Sequence, residues 1–119
     1  MGQVMIHNTQ GKENVERASL AFVTANIALT SGQEATVLLT IEGVRVATRG
    51  YADGLQANGF PPLSELMSQF VNGGGRLWVC GACAKPRGIG EGDLVEGAKI
   101  IGAATAIEAL VNGARSLSF

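Results

Sequence analysis

Short runs of apolar residues alternate along the chain with longer segments of helical periodicity. Residues 4–7 form the first apolar run, and residues 35–41 form a second that is rich in β-branched side chains. Residues 77–80 form a third run, and the alternating segment Ser-Leu-Ser-Phe over residues 116–119 is expected to be a final strand. Nearly continuous apolar runs of this length are typical of strands that are covered on both faces. The pattern therefore predicts an α/β fold built on a parallel sheet.

Two segments between these runs have the periodicity of amphipathic helices. Residues 15–29 carry apolar side chains at helical intervals, and the Ser-Gly pair that follows is expected to end this helix. A second helix is predicted over residues 63–71, since a Pro-Pro pair precedes it and three glycines follow it. Residues 42–48 are expected to form a helical turn, and residues 50–59 a polar loop.

Two capping-box patterns lie in the last third of the chain. Asp93 and Glu96 have the spacing of such a box and predict a short helix that starts at Asp93. Thr105 and Glu108 repeat the spacing and predict a last helix that ends at Gly113.

The composition favours one small domain that associates with copies of itself. Hydrophobic residues make up 46% of the 119 residues and charged residues 16%, so part of the outer surface is expected to be buried in a homo-oligomer. The net charge is −1 and the nine Lys and Arg residues are scattered, which argues against a nucleic-acid partner. No segment has the ~20 apolar residues that span a membrane, and no secretory signal is visible. We expect one cytoplasmic domain over residues 1–119.

Cys80, at the end of the third predicted strand, is the main candidate for chemistry. Functional groups of open parallel sheets collect just beyond the carboxyl ends of the strands. Lys85 and Arg87 follow in the same short segment, before the predicted helix start at Asp93. Cations and free backbone N–H groups favour a thiolate, which is the nucleophilic form of cysteine. The competing interpretation is a small buried cysteine without a chemical role, and the residues alone favour neither.

Cys80 and Cys83 form a Cys-x-x-Cys pair. A structural zinc site needs four ligands, whereas the chain has two cysteines and one histidine, so no metal and no other cofactor is expected unless subunits share a site. Disulfide exchange of the thioredoxin type uses such a pair at the start of a helix. Pro86 and four nearby glycines are expected to keep this segment in a loop, which argues against that chemistry without excluding it. Because the cytoplasm is reducing, Cys80 and Cys83 are not expected to form a structural disulfide.

His7, at the end of the first predicted strand, is a second candidate. It can serve as a base or as a hydrogen-bond partner of the sulfur, although a strand-end histidine satisfied by the backbone is the favoured interpretation. Gly81 and Gly88 favour a functional loop after Cys80, because glycine lets a ligand or another chain come close.

Several segments, taken together, resemble the DsrE/DsrF-like (YchN-like) sulfur-relay family. The resemblance covers nearly the whole chain and rests on the order and spacing of motifs that are loose individually. In chain order they are His7-Asn8-Thr9, the helical stretch 16–21, Glu42-Gly43-Val44-Arg45, the strand and cysteine pair over 77–83, Arg87-Gly88-Ile89, residues 93–98 and Leu117-Ser118-Phe119.

The resemblance implies a fold, an assembly and an activity. The fold is a three-layer α/β/α sandwich with a parallel sheet of about five strands, assembled as a homotrimer or hexamer. In sulfur-relay members, a cysteine at the end of this strand carries a persulfide from a donor protein to an acceptor protein. Cys80 matches that cysteine, eight residues before Gly88. Cys83 departs from the pattern, because the relay cysteine has no close partner in the family.

The expected function is therefore sulfur carriage on Cys80 by thiol exchange. Cys83 would act as a resolving thiol that attacks a Cys80 persulfide and releases sulfide. Arg87 would stabilise the thiolate, with His7 and the two flanking glycines in support. Two alternatives stay open: a non-catalytic oligomeric module that binds a small ligand in the same cleft, and a dithiol oxidoreductase.

Overall fold

The computed structural model describes residues 2–119, and at its centre lies a sheet of five parallel strands in the order β4-β3-β2-β1-β5. The strands are β1 (Gln3–Asn8), β2 (Glu34–Leu39), β3 (Arg76–Cys80), β4 (Ala98–Ile101) and β5 (Arg115–Ser118). The expected α/β fold with about five parallel strands is confirmed. Met1, the first residue of the expected 1–119 domain, lies outside the described residues.

Helices cover both faces of the sheet. The helices α1 (Val15–Thr30) and α2 (Leu63–Asn72) pack on one face, and α4 (Ala103–Val111) packs on the other. A single helical turn, α3 (Gly81–Ala84), follows β3 directly, and short 3₁₀ segments cover Lys12–Asn14, Ile41–Ala47, Lys85–Arg87 and Glu91–Asp93. No helix within residues 2–119 combines the length and the apolar character that a membrane crossing requires.

The larger core lies between the sheet and helices α1 and α2. The strand register puts Ile6, Val37 and Leu77 in one row across β1, β2 and β3, and all three point into this core. Phe22 of α1 and Phe70 of α2 meet there edge to face, with ring centroids 6.0 Å apart. Burial of one such side chain contributes about 1.5–3 kcal/mol, so this face supplies most of the hydrophobic stabilisation.

The opposite face is thinner. Met5, Ile101 and Ala106 form its small core, and Ala106 is the buried residue of α4. Two large apolar side chains of α4 point away from the sheet, with Ile107 58% and Val111 79% exposed. The α4 side therefore presents apolar surface in the single chain.

The helix predicted to start at Asp93 is wrong. The Asp93 carboxylate accepts a hydrogen bond from the backbone N–H of Gly90 at 2.8 Å, and this caps a short 3₁₀ segment instead. The chain then passes through Gly97, whose φ of 91° lies in the left-handed region, and enters β4. The sequence pattern did not predict β4, because its four residues include Lys99 and follow the segment from Asp93 that was expected to be a helix.

The capping box assigned to Thr105 and Glu108 is also wrong. Helix α4 begins at Ala103 with Gly102 as its N-cap residue, so Thr105 lies inside the first turn. The prediction of a last helix that ends at Gly113 is otherwise close, since α4 ends at Val111.

The second strand is shorter than predicted, and the chain turns sharply where it ends. Strand β2 stops at Leu39, and Ile41 has a φ of 55°. A β-branched residue in this left-handed region costs roughly 1–3 kcal/mol. The turn leads into the predicted helical segment, which forms as Ile41–Ala47 and packs against α3 at the carboxyl edge of the sheet.

Candidate functional site

The carboxyl ends of β1, β2 and β3 lie side by side at one edge of the sheet. The register pairs Leu39 with Val79, so Thr40 follows β2 at the level of Cys80 on the neighbouring strand. Strand β2 separates β1 from β3, and Cys80 lies two residues beyond the row that contains His7, so the two backbones are about 12 Å apart at the usual strand dimensions. The structure thus brings Thr40, which sequence reasoning missed, between two of the predicted site residues.

Cys80 is the last residue of β3 and the N-cap residue of α3. The prediction that this segment is a loop is wrong, because the helical turn begins directly at Gly81. Pro86 does not prevent the turn, since it lies at the start of the following 3₁₀ segment, where its missing N–H costs no hydrogen bond. Cys83 lies within α3, and both cysteines are free and half-buried. This removes the objection to disulfide-exchange chemistry that the expected loop had raised.

The two glycines singled out in the sequence have structural roles. A Cβ atom at Gly81 would lie 3.3 Å from the Cγ2 methyl of Ile100 and 3.4 Å from the carbonyl oxygen of Ile101, so α3 lies close against β4. Gly88 has a φ of 70° and ends the 3₁₀ segment that follows α3. Their use in sulfur transfer stays a prediction.

Arg87 is held by Glu42, whose carboxylate had not been assigned to the site. The Arg87 Nε donates to Glu42 Oε1 at 3.0 Å, and its Nη1 donates to the carbonyl oxygen of Cys83 at 3.0 Å. Glu42 Oε2 also accepts a hydrogen bond from Arg45 at 2.8 Å. Glu42 and Arg87 therefore fasten the end of α3 to the Ile41–Ala47 segment. Among residues 2–119 no hydrogen bond joins Arg87 to Cys80, so its action on the thiolate stays a prediction.

Acid is expected to weaken this contact. The hydrogen bond from Arg87 is the main cause that lowers the pKa of Glu42 below its ordinary value of 4.5. The pair therefore adds stability above that value and loses it as the pH falls through the lowered folded pKa. Because the two side chains are 22% and 39% exposed, its contribution is at most about 1 kcal/mol. Glu42→Gln should lower the free energy of unfolding at pH 7 by up to about 1 kcal/mol, as measured by urea denaturation. In the variant, the free energy of unfolding should also decrease less as the pH is lowered.

Glu65→Gln provides the matched control. Glu65 is an exposed carboxylate of α2 and forms no ion pair within residues 2–119. If Glu42→Gln and Glu65→Gln change the free energy of unfolding equally, both at pH 7 and in acid, the contact between Glu42 and Arg87 does not contribute to stability.

The imidazole of His7 lies between two hydroxyl groups. Its Nε2 is 2.6 Å from Oγ1 of Thr40, and its Nδ1 is 3.3 Å from Oγ of Ser118. The favoured interpretation, a ring satisfied by the backbone, is wrong, since both partners are side chains. Partial burial lowers the pKa of His7, which keeps the ring neutral and leaves one nitrogen as a proton acceptor.

The cysteine pair has no set of metal ligands around it in the described part of the chain. Within residues 2–119, His, Cys, Asp and Glu side chains nowhere form a group of three or more that could hold a metal ion.

Sequence comparison identifies relatives of the chain. The DsrE/DsrF-like family model matches residues 2–119. The uncharacterized protein MJ0760 of Methanocaldococcus jannaschii is 35% identical over 103 residues, which cover 87% of this chain and 38% of that protein. The uncharacterized protein MK0008 of Methanopyrus kandleri is 33% identical over 85 residues, which cover 71% of this chain and 67% of that protein. The chain thus spans well under half the length of the first relative.

Structural comparison agrees on the fold. The ychN protein of E. coli superposes with a TM-score of 0.83 at 16% identity, and the alignment covers all of both chains. Protein MTH1491 of Methanobacterium thermoautotrophicum, described as of unknown function, superposes with a TM-score of 0.77 at 17% identity, again over both whole chains. From the family match over residues 2–119 we conclude that the chain belongs to the DsrE/DsrF-like family.

Proposed function

We propose that the protein is a cytoplasmic sulfur carrier that takes up sulfane sulfur as a persulfide on Cys80 and passes it on by thiol exchange. The observation that supports this best is the position of Cys80, a half-buried free cysteine at the carboxyl end of a central strand and at the start of a helical turn. Backbone N–H groups of a first turn have no partner within the helix and face its N-cap residue. Such groups favour a thiolate.

The transfer conserves electrons. The Cys80 thiolate attacks the outer sulfur of a donor persulfide, a new S–S bond forms on Cys80, and the donor cysteine leaves as a thiolate. An acceptor thiolate then attacks the outer sulfur of the Cys80 persulfide, and Cys80 leaves as a thiolate in turn. Neither step needs a metal or another cofactor.

Thr40 and His7 supply a path for the thiol proton. The Thr40 hydroxyl lies one strand from Cys80 and 2.6 Å from a nitrogen of His7. No hydrogen bond joins Cys80 to Thr40 within residues 2–119, so the proposed path needs the thiol to approach Thr40 Oγ1. The thiol proton then passes to Thr40 Oγ1 while the Thr40 hydroxyl proton passes to His7 Nε2. The neutral state that burial imposes on His7 leaves this nitrogen able to accept it.

Cys80 is expected to be the more reactive of the two thiols. At pH 7, Cys80 in the Cys83→Ser variant should react with iodoacetamide at least about tenfold faster than Cys83 in the Cys80→Ser variant, because Cys80 is the N-cap residue of α3 and Cys83 lies inside the turn. Thr40→Val in the first background should slow the reaction several-fold by removing the hydroxyl.

Thr30→Val is the control for the relay, since Thr30 ends α1 at the opposite edge of the sheet. If Cys80 reacts no faster than Cys83, Cys80 is a structural residue and the carrier proposal fails. If Thr40→Val and Thr30→Val behave alike, the relay fails and the carrier proposal stands.

A dithiol oxidoreductase is the second candidate, and one observation favours it. Cys80 and Cys83 lie at the N-cap and in the first turn of a helix that follows a strand directly, which is the arrangement used for disulfide exchange. Such an enzyme would reduce a small aromatic disulfide at a rate that falls to background in either single cysteine variant. A carrier would instead retain sulfur uptake when Cys83 is absent.

We also propose that the chain assembles as a homotrimer or hexamer through the α4 side. The exposed apolar side chains of α4 and the hydrophobic composition support this. Ile107→Glu should shift the protein toward the 12.3 kDa monomer in light scattering after size exclusion. Ile27→Glu is the matched control, since Ile27 of α1 is equally exposed at 58% on the other side of the sheet. A wild-type monomer at micromolar concentration would contradict the proposal.

A further inference from the structure

A cavity of about 520 Å³ lies away from the cysteines, between α2 and the segments that precede β4. Its floor is apolar and includes Val46, Met67 and Val71. Neither Cys80 nor Cys83 lines it, so it lies apart from the residues of the proposed sulfur transfer. Cavities of 300–1,000 Å³ with an apolar floor and a few polar groups are the usual size and character of small-ligand sites.

The walls of the cavity are fixed by contacts within the chain. The backbone N–H of Val95 donates to the carbonyl oxygen of Ala47 at 2.8 Å, next to an antiparallel bridge between Thr48 and Leu94. A Cβ atom at Gly97 would lie 2.5 Å from Cγ1 of Val71, so the chain before β4 lies directly against α2. A site that is formed before binding costs a ligand little ordering of the protein.

The charged side chains that line the cavity have one sign. Asp53 and Glu96 are exposed carboxylates at its rim, and neither forms an ion pair within residues 2–119. No Lys, Arg or His side chain lines it. Arg49, the nearest cation along the sequence, donates to the carbonyl oxygen of Leu94 at 3.2 Å. The other polar groups, among them Ser64 and Ser68, are uncharged.

We propose that this cavity binds a small organic cation, with the apolar body of the ligand on the floor and its ammonium group at the two carboxylates. An apolar floor stabilises a hydrocarbon body, and carboxylates without a partner select a positive head group over a neutral or negative one. A divalent metal ion is a poorer match, because two carboxylates leave most of the oxygen ligands of such an ion unsupplied.

The test compares three probes with the same aromatic body: phenethylamine, 2-phenylethanol and phenylacetate. Binding is followed at pH 7 by the methyl NMR signals of Met67 and Val71 in the full chain. The amine should give saturable shifts at both residues, the alcohol should bind about tenfold more weakly, and phenylacetate should bind more weakly than the alcohol.

Substitutions at the rim decide the role of charge. Asp53→Asn combined with Glu96→Gln should weaken amine binding about tenfold, to the level of the alcohol, because a hydrogen bond to a charged group is lost. Glu65→Gln, on α2 but outside the cavity lining, should leave binding unchanged. Ser68→Phe should weaken the binding of all three probes to a similar extent, because the larger side chain takes up part of the cavity. Equal binding of amine and alcohol, or an unchanged amine affinity in the double variant, would overturn the proposal.

Discussion

Replacement of Gly43 by alanine is expected to destabilise the protein by about 3 kcal/mol, at the upper end of the usual cost of overpacking. A Cβ atom at Gly43 would lie 2.3 Å from the backbone carbonyl oxygen of Asn8 and 3.1 Å from its carbonyl carbon. Backbone atoms of a central strand cannot move aside as a flexible side chain can. Gly43 also donates its N–H to the carbonyl oxygens of Thr9 and Thr40, so any shift breaks these contacts as well.

The change should lower the melting temperature by roughly 10 °C in a chain of this size. Gly92→Ala is the matched control, because a Cβ atom there meets no other atom within 4 Å and the backbone φ is unstrained for other residues. Its effect should stay within about 0.5 kcal/mol. If Gly43→Ala behaves like Gly92→Ala in thermal and urea unfolding, the backbone of Asn8 does not exclude a Cβ atom at Gly43.

Removal of Cys83 is expected to lengthen the life of a persulfide on Cys80 by about tenfold or more. In the proposed reaction of the wild type, the Cys83 thiolate attacks the inner sulfur, sulfide leaves with the bonding electron pair, and a disulfide remains. The two residues are separated by one helical turn, so the attacking thiol is present at a high effective concentration. Sulfide release after loading with glutathione persulfide, measured over time in wild type and Cys83→Ser, checks the difference.

The control for this experiment is Ala82→Ser, which adds a hydroxyl to the same turn and keeps both thiols. Its rate of sulfide release should equal that of the wild type. Equal rates in wild type and Cys83→Ser would contradict the resolving role of Cys83 and leave carriage on Cys80 as it is proposed.

The central strands and the two long helices could be predicted from the sequence because burial on both faces leaves a clear pattern. Strand β3 and helix α1 are examples, with continuous apolar character in the first and helical spacing in the second. Strand β4 could not be predicted, because it follows the spacing of Asp93 and Glu96, which indicates a helix; β5, an edge strand of the same length, has no such conflicting pattern before it. The positive φ of Ile41 could not be predicted either, because isoleucine rarely adopts this conformation.

At the site, the position of Cys80 could be predicted and its hydrogen-bonding surroundings could not. The strand pattern and the family resemblance both put Cys80 at the carboxyl edge. The contacts of Glu42 with Arg87 and of Thr40 with His7 join residues 45 and 33 positions apart, and such pairs follow from strand order rather than from local pattern. A usable signal existed for Thr40, which is the polar residue immediately after an apolar strand.

Intact-mass analysis after loading with glutathione persulfide tests the central claim most directly. The Cys83→Ser variant should gain one sulfur atom, peptide mapping should place it on Cys80, and a thiol acceptor should then remove it. Cys80→Ser should gain none. Sulfur uptake by Cys80→Ser equal to that of Cys83→Ser, or the absence of uptake in Cys83→Ser, would contradict the account.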